Sequence, residues 1–299
     1  SGDDGRDDCG AGGFSHHDAS RKTRLQILRE TLDVEIIEQI DRWRNQYQSW
    51  SSKAGGDNLN GYPFIENSRA PFTPARRSLP MMNVALISSA GAYIGGTEPF
   101  DRTARGGDFS FREIPTEIEA RDLQFSGRGY DESFIQQDIN VEVPLARLLE
   151  YQANRVIGQL NSVFWSLCGY IPDAATFVET TLPKLVLRLK HYDVQGVLLV
   201  PASGLCHQSI GLAARAIELA GIPTVCIAVD RQTIEKVRPS RAGFYEGKLG
   251  SVAGNPNWPE HQRRVLDEAL RWLEPMGQPG IRKLGVELQT EVQAARGER

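Results

Sequence analysis

Seven consecutive residues hold the side chains best suited to chemistry: Ser203-Gly-Leu-Cys206-His207-Gln-Ser209. A cysteine in the first turn of a helix meets the positive end of the dipole and unpaired N–H groups. Both stabilise a thiolate and lower its pKa below the free value of about 8.5. His207 adjoins it and could move a proton. Ser203 and Ser209 flank it as Ser203-x-x-Cys206-x-x-Ser209, where a dithiol site would want a second sulfur. The same row also suits a purely structural pair, a buried cysteine and a helix-capping serine.

The flanking sequence positions these residues. Residues 197–200 are an unbroken apolar run of the kind expected for a strand buried on both faces. Pro201-Ala-Ser-Gly supplies a turn, and from about His207 the spacing is helical, with Ile210, Ala213, Ala214 and Ile217 on one face. Residues 223–229 form a second apolar strand after Gly221. This β-α-β unit is parallel and right-handed, and open sheets bind ligands at the carboxyl ends of such strands. Pro172 to Leu189 reads as a preceding helix. The fold class is therefore α/β: a layered, mainly parallel sheet flanked by helices, in Rossmann-like or flavodoxin-like units, with an N-terminal helical extension.

Other segments offer candidate partners. Residues 84–87 are a strand, and Ser88, Ser89, Gly91, Gly95 and Gly96 make a small-residue loop at its carboxyl end, suited to a tight turn or a ligand pocket. The loop fits neither the dinucleotide nor the phosphate-loop pattern. Residues 109–115 alternate as an edge strand. Beside or on it, Arg112 could hold a carboxylate and Glu113 exchange protons, or with Asp108 they could make surface ion pairs. Asp131, Asp138 and Asn140 are oxygen donors without calcium-loop spacing, so capping is expected rather than metal binding. Cys168 reads as a small buried hydrophobe, and His261, at the start of a helix over 261–273, as a surface residue. A helix over 24–50 and one opening at Pro144 complete the elements.

Composition narrows the classes. A net charge of −4 argues against a nucleic-acid partner. No run of about 18 apolar residues suggests a membrane span. Four cysteines at irregular spacing do not suggest a disulfide framework, and a cytoplasmic location is expected. The expected division is a disordered tail at 1–20 (with Cys9 and His16-His17-Asp18), a helical extension and Pro/Gly-rich linker at 21–80, an α/β domain at 81–275 and a flexible tail at 276–299.

At this level the sequence resembles component B of the glycine, sarcosine and betaine reductases and of D-proline reductase. The matching stretches are ALISSAGAYIGGTEPFD (85–101), GDFSFREIP (107–115), GYD…QDINVEVPLARL (129–148), VIGQLNSVFWSLCGYI (156–171), GVLLVPASGLCHQSIGLAARAIELAGIPTV (196–225) and the Gly-Asn-Pro at 254–256. The resemblance implies that Ser203 stands where such proteins carry selenocysteine or cysteine, Cys206 at the resolving cysteine, and Ser209 at a third position. It implies reductive C–N cleavage in those relatives. Serine cannot act as a selenolate, and its hydroxyl is a far weaker nucleophile.

Three readings follow. In the first, Cys206 is a single-thiol nucleophile with His207 as acid/base, acting on an amino-acid-like substrate by C–N or C–S chemistry or reduction. The loops bearing Ser88, Ser89, Gly91 and Tyr93, and Asp108, Arg112 and Glu113, would grip the substrate, with Tyr130, Asp131 and Gln208 completing the set. Ser203, Cys206, Ser88, Ser89 and Arg112 would then share one pocket. No metal or resident cofactor is expected; an external dithiol or thioredoxin-like reductant would serve. In the second, the chain is a catalytically reduced subunit that binds a small carboxylate or a partner protein; in either case a homo-oligomer or partner subunit is expected. In the third, Ser203 is a hydrolase-like nucleophile.

Overall fold

The computed structural model describes residues 34–53, 59–274 and 279–286. The chain divides into units 1–35 and 36–299, and the account below concerns the second. Cys9, His16-His17-Asp18 and the first part of the helix expected over 24–50 lie outside the described residues.

The strands are β1 (Asn83–Ser88), β2 (Ala92–Ile94), β3 (Phe111–Pro115), β4 (Leu123–Phe125), β5 (Gln159–Leu160), β6 (Val163–Leu167), β7 (Gly196–Val200), β8 (Thr224–Ala228), β9 (Arg241–Phe244) and β10 (Gly280–Lys283). The helices are α1 (Ile40–Ser51), α2 (Ser133–Gln137), α3 (Leu145–Ala153), α4 (Leu182–His191), α5 (Gly204–Leu219), α6 (Arg231–Val237) and α7 (Pro259–Leu270). The main sheet runs β10-β9-β8-β7-β1-β6-β3, with β5 also beside β1; β2 and β4 form a separate antiparallel pair. Within the main sheet only β3 is antiparallel to its neighbour.

Strand alternation sorts the core into two layers. Ala85, Ile87, Val197 and Leu199 face α4, α5 and α6. Val84, Leu86, Leu198 and Val200 face α3 and α7. Both faces are covered, which is why β1 and β7 read as apolar runs. The order β6-β1-β7-β8-β9 also locates the functional end. From β1 the chain returns beside it as β6, then crosses to its other side as β7. Connections therefore diverge between β1 and β7, the switch point at which a crevice opens beyond the carboxyl ends.

Several elements differ from the sequence expectations. Helix α5 starts at Gly204, because Ser203 already caps it. The helix expected over 172–189 is a short turn at Ala174–Thr176, a π-turn at Phe177–Thr181 and then α4; Pro183 has no N–H with which to continue the ladder. Residues 59–80 hold little regular structure, yet Tyr62 and Ile65 join the core. Gly280–Lys283, within the stretch expected to fray, pairs with β9, and Leu284 and Val286 beyond it are buried.

One buried ion pair ties this assembly together. Arg241 Nη1 lies 2.6 Å from Glu218 Oε1, with both side chains fully buried. Arg241 Nη2 donates to Thr73 O (2.7 Å), and Thr73 and Thr224 N–H groups donate to Glu218. The pair thus joins α5, β8, β9 and the 72–73 arm. Arg241→Met would leave a carboxylate buried without its cation, at a cost of about 3–5 kcal/mol in urea unfolding. Adding Glu218→Gln, which removes the charge and keeps an acceptor for the Thr224 N–H, should restore part of that loss; a double variant as unstable as the single one would contradict this role.

Candidate functional site

Ser203 is the N-cap of α5, with extended backbone (φ −126°, ψ 173°). Its Oγ accepts the Cys206 N–H at 3.1 Å and lies 2.9 Å from Cys206 Sγ. The Ser203 hydroxyl donates to this sulfur. Cys206 Sγ in turn approaches Ser89 O at 3.9 Å, the geometry of a weak S–H donor. The thiol is only 1% exposed. Burial pushes its pKa up, outweighing the Ser203 and Ser89 hydroxyls, which pull the other way. The lowered pKa expected from the helix dipole is therefore corrected: at rest Cys206 is a neutral thiol.

The walls come from three neighbouring turns. Ser89 Oγ accepts the Ala202 N–H at 3.0 Å, locking the ends of β1 and β7 together. Gly169 N–H donates to the same Ser89 carbonyl (3.1 Å), and Ser209 Oγ donates to Gly169 O (2.8 Å). Only glycine fits at 169: a Cβ there would stand 2.4 Å from Ser89 Cβ and 3.1 Å from Cys206 Sγ. Tyr130 donates to Ala90 O at 2.7 Å. Cys168 bridges to Ala90, and burial, then Cys206, push its thiol up to about 12. Thus Ser89, Gly169, Ser203, Cys206 and Ser209 meet, with Tyr130 and Cys168 beside them. Ser88 occupies the last position of β1, in register with Val200 and Ser166.

Other expected residues do different work. His207 cannot serve as the acid/base. Its Nε2 accepts N–H groups from Val229 (3.0 Å) and Asp230 (3.1 Å), so it carries no proton, and Nδ1 must donate to Ser203 O (2.7 Å). Both ring nitrogens are engaged, and burial holds the ring neutral. Gln208 is likewise fully engaged, with Ile65 N–H and the Tyr62 hydroxyl. Glu113 takes a bidentate grip from Arg188 (2.6 and 2.9 Å), the ion-pair alternative. Arg112 pairs in register with Ser166 on β6, two strands and about 10 Å from β1; its guanidinium lies 4.3 Å over Phe100. Asp108 binds Asp101 and Ser110, Tyr93 binds Gln124 on β4, and Asp131 caps Ser133 N–H. Gly91 (φ 72°) turns against Ser126 O. Asp138 accepts from Asn140, Asn257 and Gln262. His261 is buried, accepting the Asn255 N–H at Nδ1.

Two features were not legible in the sequence. Residues 248–254 close over the site: Gly250 N–H donates to Ala202 O (2.9 Å) and Val252 N–H to Glu142 Oε1 (3.1 Å). Glu142 is fully buried, and its Oε2 has no hydrogen-bond partner among the described residues. Burial raises its carboxyl well above the ordinary range. A buried glutamate inside an otherwise ordinary Asn-Val-Glu-Val-Pro stretch carries no signal of its own.

Residues 54–202 match the family described as glycine/sarcosine/betaine reductase selenoprotein B. D-proline reductase subunit gamma of Acetoanaerobium sticklandii is 33% identical over 68% of this chain and 82% of its own length. The chain belongs to the selenoprotein B family. Sarcosine reductase complex component B subunit beta of Peptoclostridium acidaminophilum is 29% identical over 56% of this chain, and glycine reductase complex component B subunit gamma of Symbiobacterium thermophilum 24% over 70%. The chain spans only 38% and 49% of those two relatives. No solved structure matches. The family match ends at Ala202, so the Ser203–Cys206 turn lies just past it.

Two outcomes follow. Ser203→Ala removes the cap and should cost about 1 kcal/mol in urea unfolding; no loss would contradict the capping role. For Glu142 the folded pKa is raised, so above about pH 4.5 the unfolded chain releases a proton that the folded chain keeps, and stability falls as pH rises. Glu142→Gln does not titrate. Its stability relative to the wild type should therefore improve by up to about 1.4 kcal/mol per pH unit between pH 5 and 7; a pH-independent difference would refute the buried neutral acid.

Proposed function

We propose that the chain is a subunit of a multicomponent reductase-type enzyme acting on a small amino-acid-like substrate at the β1/β7 switch point. Cys206 is the reacting sulfur and Ser203 its hydrogen-bond donor. The observation that carries the reading is the 2.9 Å approach of Ser203 Oγ to Cys206 Sγ at the amino end of α5. A hydroxyl and a helix terminus aimed at one sulfur favour the anion once a base or substrate removes the proton. The relatives, reductases of D-proline, sarcosine and glycine, support the reaction class.

In the step we envisage, a Cys206 S–C bond forms as the substrate C–N bond breaks, and the amine leaves with a proton. An external dithiol, or a thioredoxin-like protein, then attacks the sulfur. The C–S electron pair passes to carbon, which takes a proton, and the second thiol of the dithiol displaces Cys206 from the resulting mixed disulfide. Overall the dithiol loses two electrons and two protons, and C–N becomes C–H and N–H. Ser203 stays in place as cap and donor, and His207 takes no proton.

A second reading, a binding subunit without sulfur chemistry, is favoured by the burial of Cys206 and the full engagement of His207. Mass spectrometry separates the two. The reduced protein, freed of reductant, would be incubated with D-proline, sarcosine, glycine or betaine, then digested. An adduct on the Cys206 peptide, absent in Cys206→Ala, is expected; substrate retention with no adduct for any of the four would favour the binding subunit.

A further inference from the structure

We propose that residues 129–137 form a flap that closes over Cys206 and opens, without unfolding the sheet, to admit substrate to the sulfur. The inference rests on Cys206 being the reacting group. It supplies the route in that the 1% exposure of this residue demands.

Cys206 is buried in neither main layer of the core. It belongs to a separate apolar cluster with Ala90, Ile135, Val141 and Ala202, against which Phe125, Tyr130 and Phe134 pack. Small clusters of this kind lie under loops and can come apart while the main core stays closed. Two sides of the cluster are fixed. Ala90 and Ala202 follow β1 and β7, and the Ala202 N–H and carbonyl are both bonded, to Ser89 Oγ and the Gly250 N–H. Val141 is held by the 248–254 loop, its carbonyl accepting the Ala253 N–H at 2.7 Å. The third side, with Tyr130, Phe134 and Ile135, is the flap.

The flap is held differently. Among the described residues, no backbone hydrogen bond joins 130–137 to another element. Its ties are side chains: the Tyr130 hydroxyl to Ala90 O (2.7 Å), Glu132 to Arg102 at 3.5 Å, and the Phe134 ring 5.5 Å from Lys248 Nζ. Ile135 is the plug, buried while Ser133, Gln136 and Gln137 around it are exposed. The ends suit a hinge. Gly129 is exposed with a left-handed backbone (φ 82°) and passes over the cap of α5, where a Cβ would stand 3.4 Å from Ser203 Oγ. At the far end Asp138 is pinned, accepting the Asn257 N–H and a Gln262 Nε2 proton. Swinging out between these points breaks one hydroxyl bond and one long ion pair and exposes Ile135 with two rings. The layers on either face of the sheet stay packed.

Iodoacetamide labelling in increasing urea, below the unfolding transition and read by peptide mass spectrometry, tests this. Cys226 is the internal control, fully buried on β8 within the layer that faces α5. The urea slope of a labelling rate scales with the surface exposed by the opening that admits the reagent. With reagent dilute enough that rates are proportional to its concentration, Cys206 should react about a hundredfold faster than Cys226 without urea, with less than about a third of its slope. Ile135→Ala, which removes the plug, should speed Cys206 by at least about tenfold and keep its slope small. Arg241→Met, which weakens the sheet away from the flap, should speed Cys226 and leave Cys206 unchanged. A Cys206 slope equal to that of Cys226, or a Cys206 rate that rises with that of Cys226 in Arg241→Met, overturns the flap; the wild-type slopes decide alone if a variant fails to fold. Local opening at Cys206 with no substrate adduct leaves the flap standing and removes the sulfur chemistry.

Discussion

The structure depends on one hydroxyl. Ser203 Oγ accepts the Cys206 amide and meets its sulfur, and in doing so fixes where α5 begins. That helix is buried along nearly its whole length, so its register is transmitted everywhere. Cys206 reaches the end of β1, His207 the end of β8, Gln208 the arm at 62–65 and Ser209 the turn after β6. Further along, Arg215 donates to Ile36, Arg69 and Arg238 carbonyls, and Glu218 binds Thr73, Thr224 and Arg241. Each of these polar groups would be costly to bury unpaired. Shifting α5 by one residue would strand all of them at once.

The same packing sets the chemistry. A thiol at a helix terminus tends toward the anion, yet here desolvation wins and holds Cys206 neutral. The dipole and the Ser203 hydroxyl are present but opposed by burial. Whatever lets solvent, substrate or a base reach the sulfur would tip that balance, because the donors are already in place. Glu142 follows the same logic: buried beneath the 248–254 loop, its carboxyl keeps its proton. The site at rest is thus close to uncharged at its floor.

The α/β class, the strands at 84–87 and 197–200 and the central turn were legible because fully buried parallel strands leave long apolar runs, and a Pro-Ala-Ser-Gly turn follows one of them. Family membership was legible for the same reason: its matching stretches are the strand ends. Roles within the turn were less so. Sequence spacing places His207 beside Cys206, but in a helix consecutive residues point about 100° apart, and His207 turns to β8 instead. Arg112 and Glu113 face opposite sides of β3, so one short motif could not put both into a pocket. Glu142 and Cys168 acquire meaning only from what the fold lays against them. The strand at Gly280–Lys283 was hidden by its charged residues, which an edge strand tolerates.

The central claim is that a single sulfur at the switch point rests as a neutral thiol with its donors prepared. The most direct measurement is the thiolate absorbance near 240 nm as a function of pH, taken as the difference between the wild type and Cys206→Ala. The account predicts no thiolate from Cys206 at pH 7, with a midpoint above the ordinary thiol value of about 8.5 that moves higher still in Ser203→Ala. A full thiolate signal at pH 7, or a midpoint that Ser203→Ala leaves unmoved, would contradict it.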